Sequence, residues 1–217
     1  IIDISGSTNE KGEAVQALSY DPVNDVEFLE NELDIWFYRL VTKGWHKFSR
    51  QLQQEGGDLK VAISKQLSGL GVTEEDADKT LKEMGKPFSE WSEEDTTTFS
   101  RMLRIRTKPM LIVANKIDVP GAEENLKRLQ EKYPSYKIIP CSAEAEVALK
   151  EANKNKMIKY VFGEADFEKV GELNESQEKG LMYVKENILN KFGSTGVQDA
   201  LNSAIFDLLN YIAILKK

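Results

Sequence analysis

Asn115-Lys116-Ile117-Asp118 places an amide, an ammonium and a carboxylate within four positions. Together they suit one kind of purine. A carboxylate at Asp118 accepts both the ring N–H and the exocyclic amino N–H of guanine, a bidentate contact that adenine does not offer. The aliphatic stem of Lys116 is long enough to lie over a base plane. Asn115 has the groups to tie neighbouring loops together or to reach a ring nitrogen. The tetrapeptide alone is equally well read as a polar turn at the end of a strand, so its surroundings decide its weight.

Those surroundings read as a β-α-β unit. Residues 109–114 form a short apolar run with Met-Leu-Ile-Val at its centre, the pattern of a strand buried in a parallel sheet. Residues 119–133 carry Leu126, Leu129 and Tyr133 on one helical face. A second strand is predicted over residues 136–140, followed by Cys141-Ser142-Ala143-Glu144. This is the S-A-[KE] type of loop, which in guanine-nucleotide-binding folds sets backbone N–H groups against the guanine oxygen. Both loops fall at carboxyl ends of strands, where open α/β sheets bind ligands. The pair is far more specific than either motif alone.

With these motifs in view, residues 108–144 resemble the second half of a translation-factor-type GTPase. The remainder resembles the YchF branch of the Obg-related GTPases in its archaeal form. The segments that carry this are ISGSTNEKGE, SYDPVNDVEFLENELDIWF, VANKID, CSAEAE and KFGSTGVQDALNSAIFDLLNYIA, which together extend over nearly all of the chain. The resemblance implies an α/β fold, the C-terminal half of a P-loop NTPase (G domain), interrupted by an inserted helical, coiled-coil-like domain. It implies GTP as ligand, with Asn115, Lys116 and Asp118 selecting guanine and Ser142 and Ala143 completing the base pocket. It further implies slow GTP hydrolysis, a role as a ribosome-associated switch, and Mg²⁺ held elsewhere. Some YchF-type proteins depart from N-K-x-D and prefer ATP; this chain keeps the guanine-type motif.

No G-x-x-x-x-G-K-[ST] phosphate loop occurs in the 217 residues, so the resemblance places the P-loop, both switches and the magnesium ligands before Ile1, and a small TGS domain after the last residue. Asp3-Ile4-Ser5-Gly6 fits D-x-x-G, the pattern of a γ-phosphate switch, but is read as a strand-to-loop turn. No catalytic residue and no metal ligand is therefore assigned within the chain. The expected division is residues 1–25 and 107–217 for the G domain and 26–106 for the helical insertion.

Composition agrees with an ordinary soluble globule: 41 % hydrophobic residues, 30 % charged and a net charge of −7. That charge gives no whole-surface attraction to nucleic acid, so contact with RNA requires a local patch. One is available in Lys43, Lys47 and Arg50, spaced i, i+4 and i+7, which with the resemblance suggests ribosome or rRNA contact. The alternative function is then a ribosome- or RNA-docking module whose nucleotide site is regulatory or vestigial. One cysteine, Cys141, cannot form an internal disulfide and fits a reducing cytoplasm. No apolar run is long enough to span a membrane, and a monomer is expected.

The insertion reads as four helices. The first begins near Asp25 and runs toward Gly56, with Leu29, Leu33, Trp36 and Leu40 facing inward. The others cover residues 59–70, 73–84 and 89–104, with capping signals at Thr73 and Ser92 and stops at Gly71 and Gly85. The lone His46 is read as structural, with no partners at metal-ligand spacing. Beyond residue 144 the chain is predicted mostly helical. A helix over residues 176–192 stops at Gly193, Ser194-Thr195 caps the next, and Val197, Leu201, Ala204, Ile205 and Leu208 form its apolar stripe. Gly193-Ser194-Thr195-Gly196 lies between two helices and is read as a turn, since a phosphate cradle wants a strand before it.

Overall fold

A computed structural model describes residues 1–43, 45 and 57–212. The chain divides into two compact units, Ile1–Val26 with Met110–Lys217, and Glu27–Pro109.

The first unit is built on a three-stranded parallel sheet of β1 (Ile2–Asp3), β2 (Leu111–Asn115) and β3 (Lys137–Cys141), with β2 in the middle. The registers pair Asp3 with Asn115 and Asn115 with Cys141, so all three strands end level. The predicted strand–helix–strand unit is present: α5 (Ala122–Lys132) follows β2 and α6 (Ala143–Lys154) follows β3. Leu126 and Leu129 of α5, Ala145 and Leu149 of α6, and Ile4, Ile112 and Ala114 share one apolar core. Burying these faces is what holds the strand ends in place. Pro140 lies on β3, an outer strand of the three, where the loss of a backbone N–H is tolerated.

After α6 a small antiparallel pair forms, β4 (Ile158–Lys159) with β5 (Glu168–Lys169), in a part of the chain that the sequence pattern reads as mostly helical. A helix, α7 (Glu175–Val184), opens on an Asn174–Gln177 capping box and continues through one wide π turn, Lys185–Leu189, to Asn190–Phe192. Gly193 ends it in the left-handed region, as expected of a C-terminal glycine.

The last helix departs from expectation twice. Its N-cap is Gly196 rather than Ser194 or Thr195, and no side chain caps it. Regular α-helix covers only Val197–Asn202 (α8), and Ser203–Leu208 is π-helical. The wider turn breaks the 3.6-residue period, so the predicted stripe does not stay on a buried face: Leu201 and Ile205 are exposed while Ser203 is buried.

The second unit is helical. In chain order it comprises α1 (Val23–Thr42), whose first turn lies in the sheet unit, then α2 (Leu59–Gln66), α3 (Glu74–Met84) and α4 (Glu93–Thr107). Both expected caps are formed as full capping boxes, Thr73 with Asp76 and Ser92 with Asp95. The core is Phe37, Val41, Ile63, Leu67, Val72, Ala77, Phe99 and Leu103. The inward face of α1 is therefore not the predicted one. Phe37 and Val41 are buried, whereas Leu29 and Trp36 are exposed. Residues 29, 33, 36 and 40 share a face shifted by about one position, and packing selects the stripe carrying Phe37. Among the described residues no helix is long and apolar enough to cross a membrane.

Candidate functional site

The level ends of the three strands bring Asp3, Asn115-Lys116 and Cys141-Ser142 side by side. The five predicted base-site residues lie on the two loops that leave β2 and β3. Lys116 has a positive φ of 67°, an uncommon conformation for a non-glycine residue and one that concentrates at functional sites. Its ammonium is held by Asp3 Oδ2 at 2.8 Å and by Ser7 Oγ at 3.0 Å.

Asp3 is the hub of this corner. Its Oδ1 accepts from the Ser5 N–H at 3.0 Å and the Ser5 hydroxyl at 2.6 Å. Its Oδ2 accepts from Ser7 and Thr8, both at 2.8 Å, besides Lys116. Burial by itself would raise the Asp3 carboxyl; the hydrogen bonds from Lys116, Ser5, Ser7 and Thr8 outweigh it and hold the group well below the usual carboxylate range. The D-x-S-G segment is thus a strand-to-loop turn, and its aspartate anchors the lysine of the N-K-x-D loop. Pattern reasoning missed that pairing, because the two residues are 113 positions apart.

Asn115 joins the two loops. Its Oδ1 accepts from the Ala143 N–H at 3.0 Å, the amide assigned from sequence to the guanine oxygen, so a bound base would share that donor or take it over. Ser142 is fully buried, and its hydroxyl accepts from the Ala145 N–H at 3.1 Å, capping α6. Most N–H groups at the start of α6 are thus bonded within the protein, and the positive end of its dipole adds a setting that favours a carbonyl oxygen or an anion.

Asp118 is different from its neighbours. Its main-chain carbonyl accepts from the Tyr183 hydroxyl at 2.6 Å, which fixes the backbone. Among the described residues its half-buried carboxylate has no hydrogen-bond partner. Cys141, beneath it, is buried, and burial with the charges of Glu146, Asp118 and Asp199 pushes its thiol up to about 11. It is a packing residue rather than a nucleophile.

Lys43 is exposed just beyond the end of α1, while Lys47, Arg50 and His46 lie outside the described residues. No group of three or more His, Cys, Asp or Glu side chains stands close enough to hold a metal ion among the described residues. The described residues do not fit a Mg²⁺ site.

Residues 113–215, which begin inside β2 and take in both loops, match the family described as Obg-like GTPase YGR210-like, G4 motif-containing domain. This part of the chain is similar to a domain of the Obg-like GTPase type. Over 99 % of its length the chain is 43 % identical to an uncharacterized GTP-binding protein of Methanocaldococcus jannaschii, covering 53 % of that protein. It is 28 % identical to an uncharacterized GTP-binding protein of Schizosaccharomyces pombe, covering 99 % of this chain and 54 % of the other. The chain thus spans about half the length of these relatives. The crystal structure of a GTP-binding protein from Pyrococcus horikoshii is similar at a TM-score of 0.76 and 37 % identity, over 97 % of this chain and 57 % of that one.

Proposed function

We propose that this chain carries the base-reading part of a guanine-nucleotide site. The observation that carries the reading is the division of labour at the strand ends. Asn115 and Lys116 are already engaged in holding the loops, while the Asp118 carboxylate, on a fixed backbone, has no protein partner among the described residues. A half-buried carboxylate left open beside a helix N-terminus matches guanine, which presents two N–H donors to the one and a carbonyl to the other. The family match and the names of the relatives support the same ligand.

The wider activity belongs to this proposal as well. The intact protein is read as a GTPase of the YchF-like branch, hydrolysing GTP slowly as a translation-associated switch. Its phosphates and Mg²⁺ are assigned to elements that these residues do not include. Within this chain the work is selection of the base, not bond cleavage.

The test is Asp118→Asn in the intact protein. An amide places a donor where the carboxylate accepted, so preference shifts from GTP toward xanthosine triphosphate, whose base has a carbonyl at that position. Losing a charged hydrogen bond of this kind costs roughly 2–3 kcal/mol, or about 30- to 150-fold in GTP affinity. Calorimetry showing equal GTP affinity in mutant and parent refutes the assignment.

A further inference from the structure

The Gly193–Gly196 turn lies between Asn190–Phe192 and α8, and its side chains are closely engaged. Ser194 and Thr195 are 5 % and 1 % exposed. The Thr195 hydroxyl donates to Glu146 Oε2 at 2.5 Å, and the Tyr160 hydroxyl donates to the same oxygen at 3.1 Å. Lys150 stands 3.5 Å from the other oxygen. Glu146 itself is 4 % exposed, on the first turn of α6, four residues after Ser142. Burial and the Glu146 charge push the Tyr160 hydroxyl up to about 12, so it remains a donor at any working pH.

The turn is also pressed against the end of β3. Gly196 has a φ of +79°, and a Cβ there would lie 2.0 Å from the Pro140 carbonyl oxygen, so no other residue fits. From this position the Thr195 carbonyl accepts the Ser142 N–H at 2.9 Å. Two successive peptides are therefore held, Cys141–Ser142 by the Thr195 carbonyl and Ser142–Ala143 by Asn115 through the Ala143 N–H.

We infer that Thr195 and Glu146 are positioning residues for the guanine-reading loop. They fix where the Ser142–Ala143 amides stand relative to the base carbonyl without touching the base. The inference rests on the base-reading role proposed above. A buried carboxylate bonded mainly by two neutral hydroxyls is a poor way to fill a core, since apolar residues of the same volume do so without desolvating a charge. It is a good way to hold a peptide to within a fraction of an ångström, because each bond is directional and excluded from water.

The experiment compares Thr195→Val, which keeps size and carbonyl but removes the hydroxyl, with Thr195→Ser, which restores it. Both are made in the intact protein. Amide hydrogen exchange at Ser142 is read without nucleotide, and affinities for GDP and inosine diphosphate are read by calorimetry. Thr195→Val is expected to speed exchange at Ser142 and to weaken both nucleotides by about five- to tenfold, the worth of one buried hydrogen bond. Because inosine keeps the base carbonyl and lacks only the amino group that meets Asp118, the GDP-to-inosine-diphosphate ratio stays at the parental value. Thr195→Ser returns both readouts to parental. If Thr195→Val fails to fold, Glu146→Gln replaces it, leaving a single neutral oxygen to accept from both hydroxyls and so weakening both bonds, with the same direction and constant ratio expected. Parental affinity in a folded variant that has lost the clamp overturns this inference alone, as does a changed ratio, which would place the effect at Asp118. A parent that binds no guanine nucleotide overturns the base-reading proposal and this inference with it.

Discussion

Replacing Asp3 by Asn isolates the one charge that joins the first strand end to the N-K-x-D loop. The side chain keeps its shape, and its Oδ1 continues to accept from Ser5. The other oxygen becomes an NH₂ facing three donors, the hydroxyls of Ser7 and Thr8 and the Lys116 ammonium. Hydroxyls rotate and accept; an ammonium does not. What is lost is one ion-paired hydrogen bond, worth about 1.5–3 kcal/mol if buried. Asp3 is 13 % exposed but Lys116 is 43 % exposed, so solvent screening reduces this to about 1–2 kcal/mol. At roughly 2–4 °C per kcal/mol for a chain of this size, melting of the sheet unit falls by about 2–8 °C.

The pH dependence supplies the sharper test. The folded-state Asp3 carboxyl is held below its ordinary value near 3.9, so its contribution is fully present above that value and is lost as pH falls through the lower, folded one. The gap between parent and Asp3→Asn is thus constant from about pH 5 to 8 and closes progressively below about pH 4. Urea titrations across that range measure it. A variant as stable as the parent at pH 7, or a gap that does not narrow in acid, refutes the assignment of Asp3 as the ionised anchor of Lys116.

Two further outcomes follow from the same geometry. With its thiol pushed up to about 11, Cys141 alkylates in the native chain at pH 8 on the order of a hundredfold more slowly than in urea, and comparable rates would contradict its burial at the strand end. If, as proposed, the 217 residues supply only the base contacts, guanosine and GTP bind them with similar affinities, weaker than about 100 μM; a GTP much tighter than guanosine would reveal a phosphate site among them.

The local parts of this fold were legible because their causes are local. The strand–helix–strand unit was read as 109–114, 119–133 and 136–140 and is found as Leu111–Asn115, Ala122–Lys132 and Lys137–Cys141. Thr73 and Ser92 announce their helices because a capping box involves residues only three apart. Periodicity did worse where a choice of faces existed. On α1 apolar residues occur on adjoining stripes, and only the packing of Phe37 and Val41 against Ile63, Phe99 and Leu103 decides which turns inward. In α8 the π turn changes the period itself. The contacts that arrange the base loops were not legible. Lys116 with Asp3 and Glu146 with Thr195 are separated by 113 and 49 residues, and no spacing rule links them.

Those long-range contacts explain how a short motif becomes a site. Asn115, Lys116 and Ser142 would each be mobile polar groups on open loops if β2 and β3 stood alone. Asp3 removes the freedom of the lysine, the Ala143 N–H removes that of the asparagine, and the Thr195 carbonyl fixes the serine backbone. The ordering entropy of these groups is met in folding and is not charged again when a base arrives. On the proposed reading Asp118 keeps its acceptors open, and the free energy of its two bonds to a guanine would then appear almost undiminished as discrimination against bases that cannot donate twice. Under that proposal selectivity depends on one carboxylate, and the surrounding residues act by holding still.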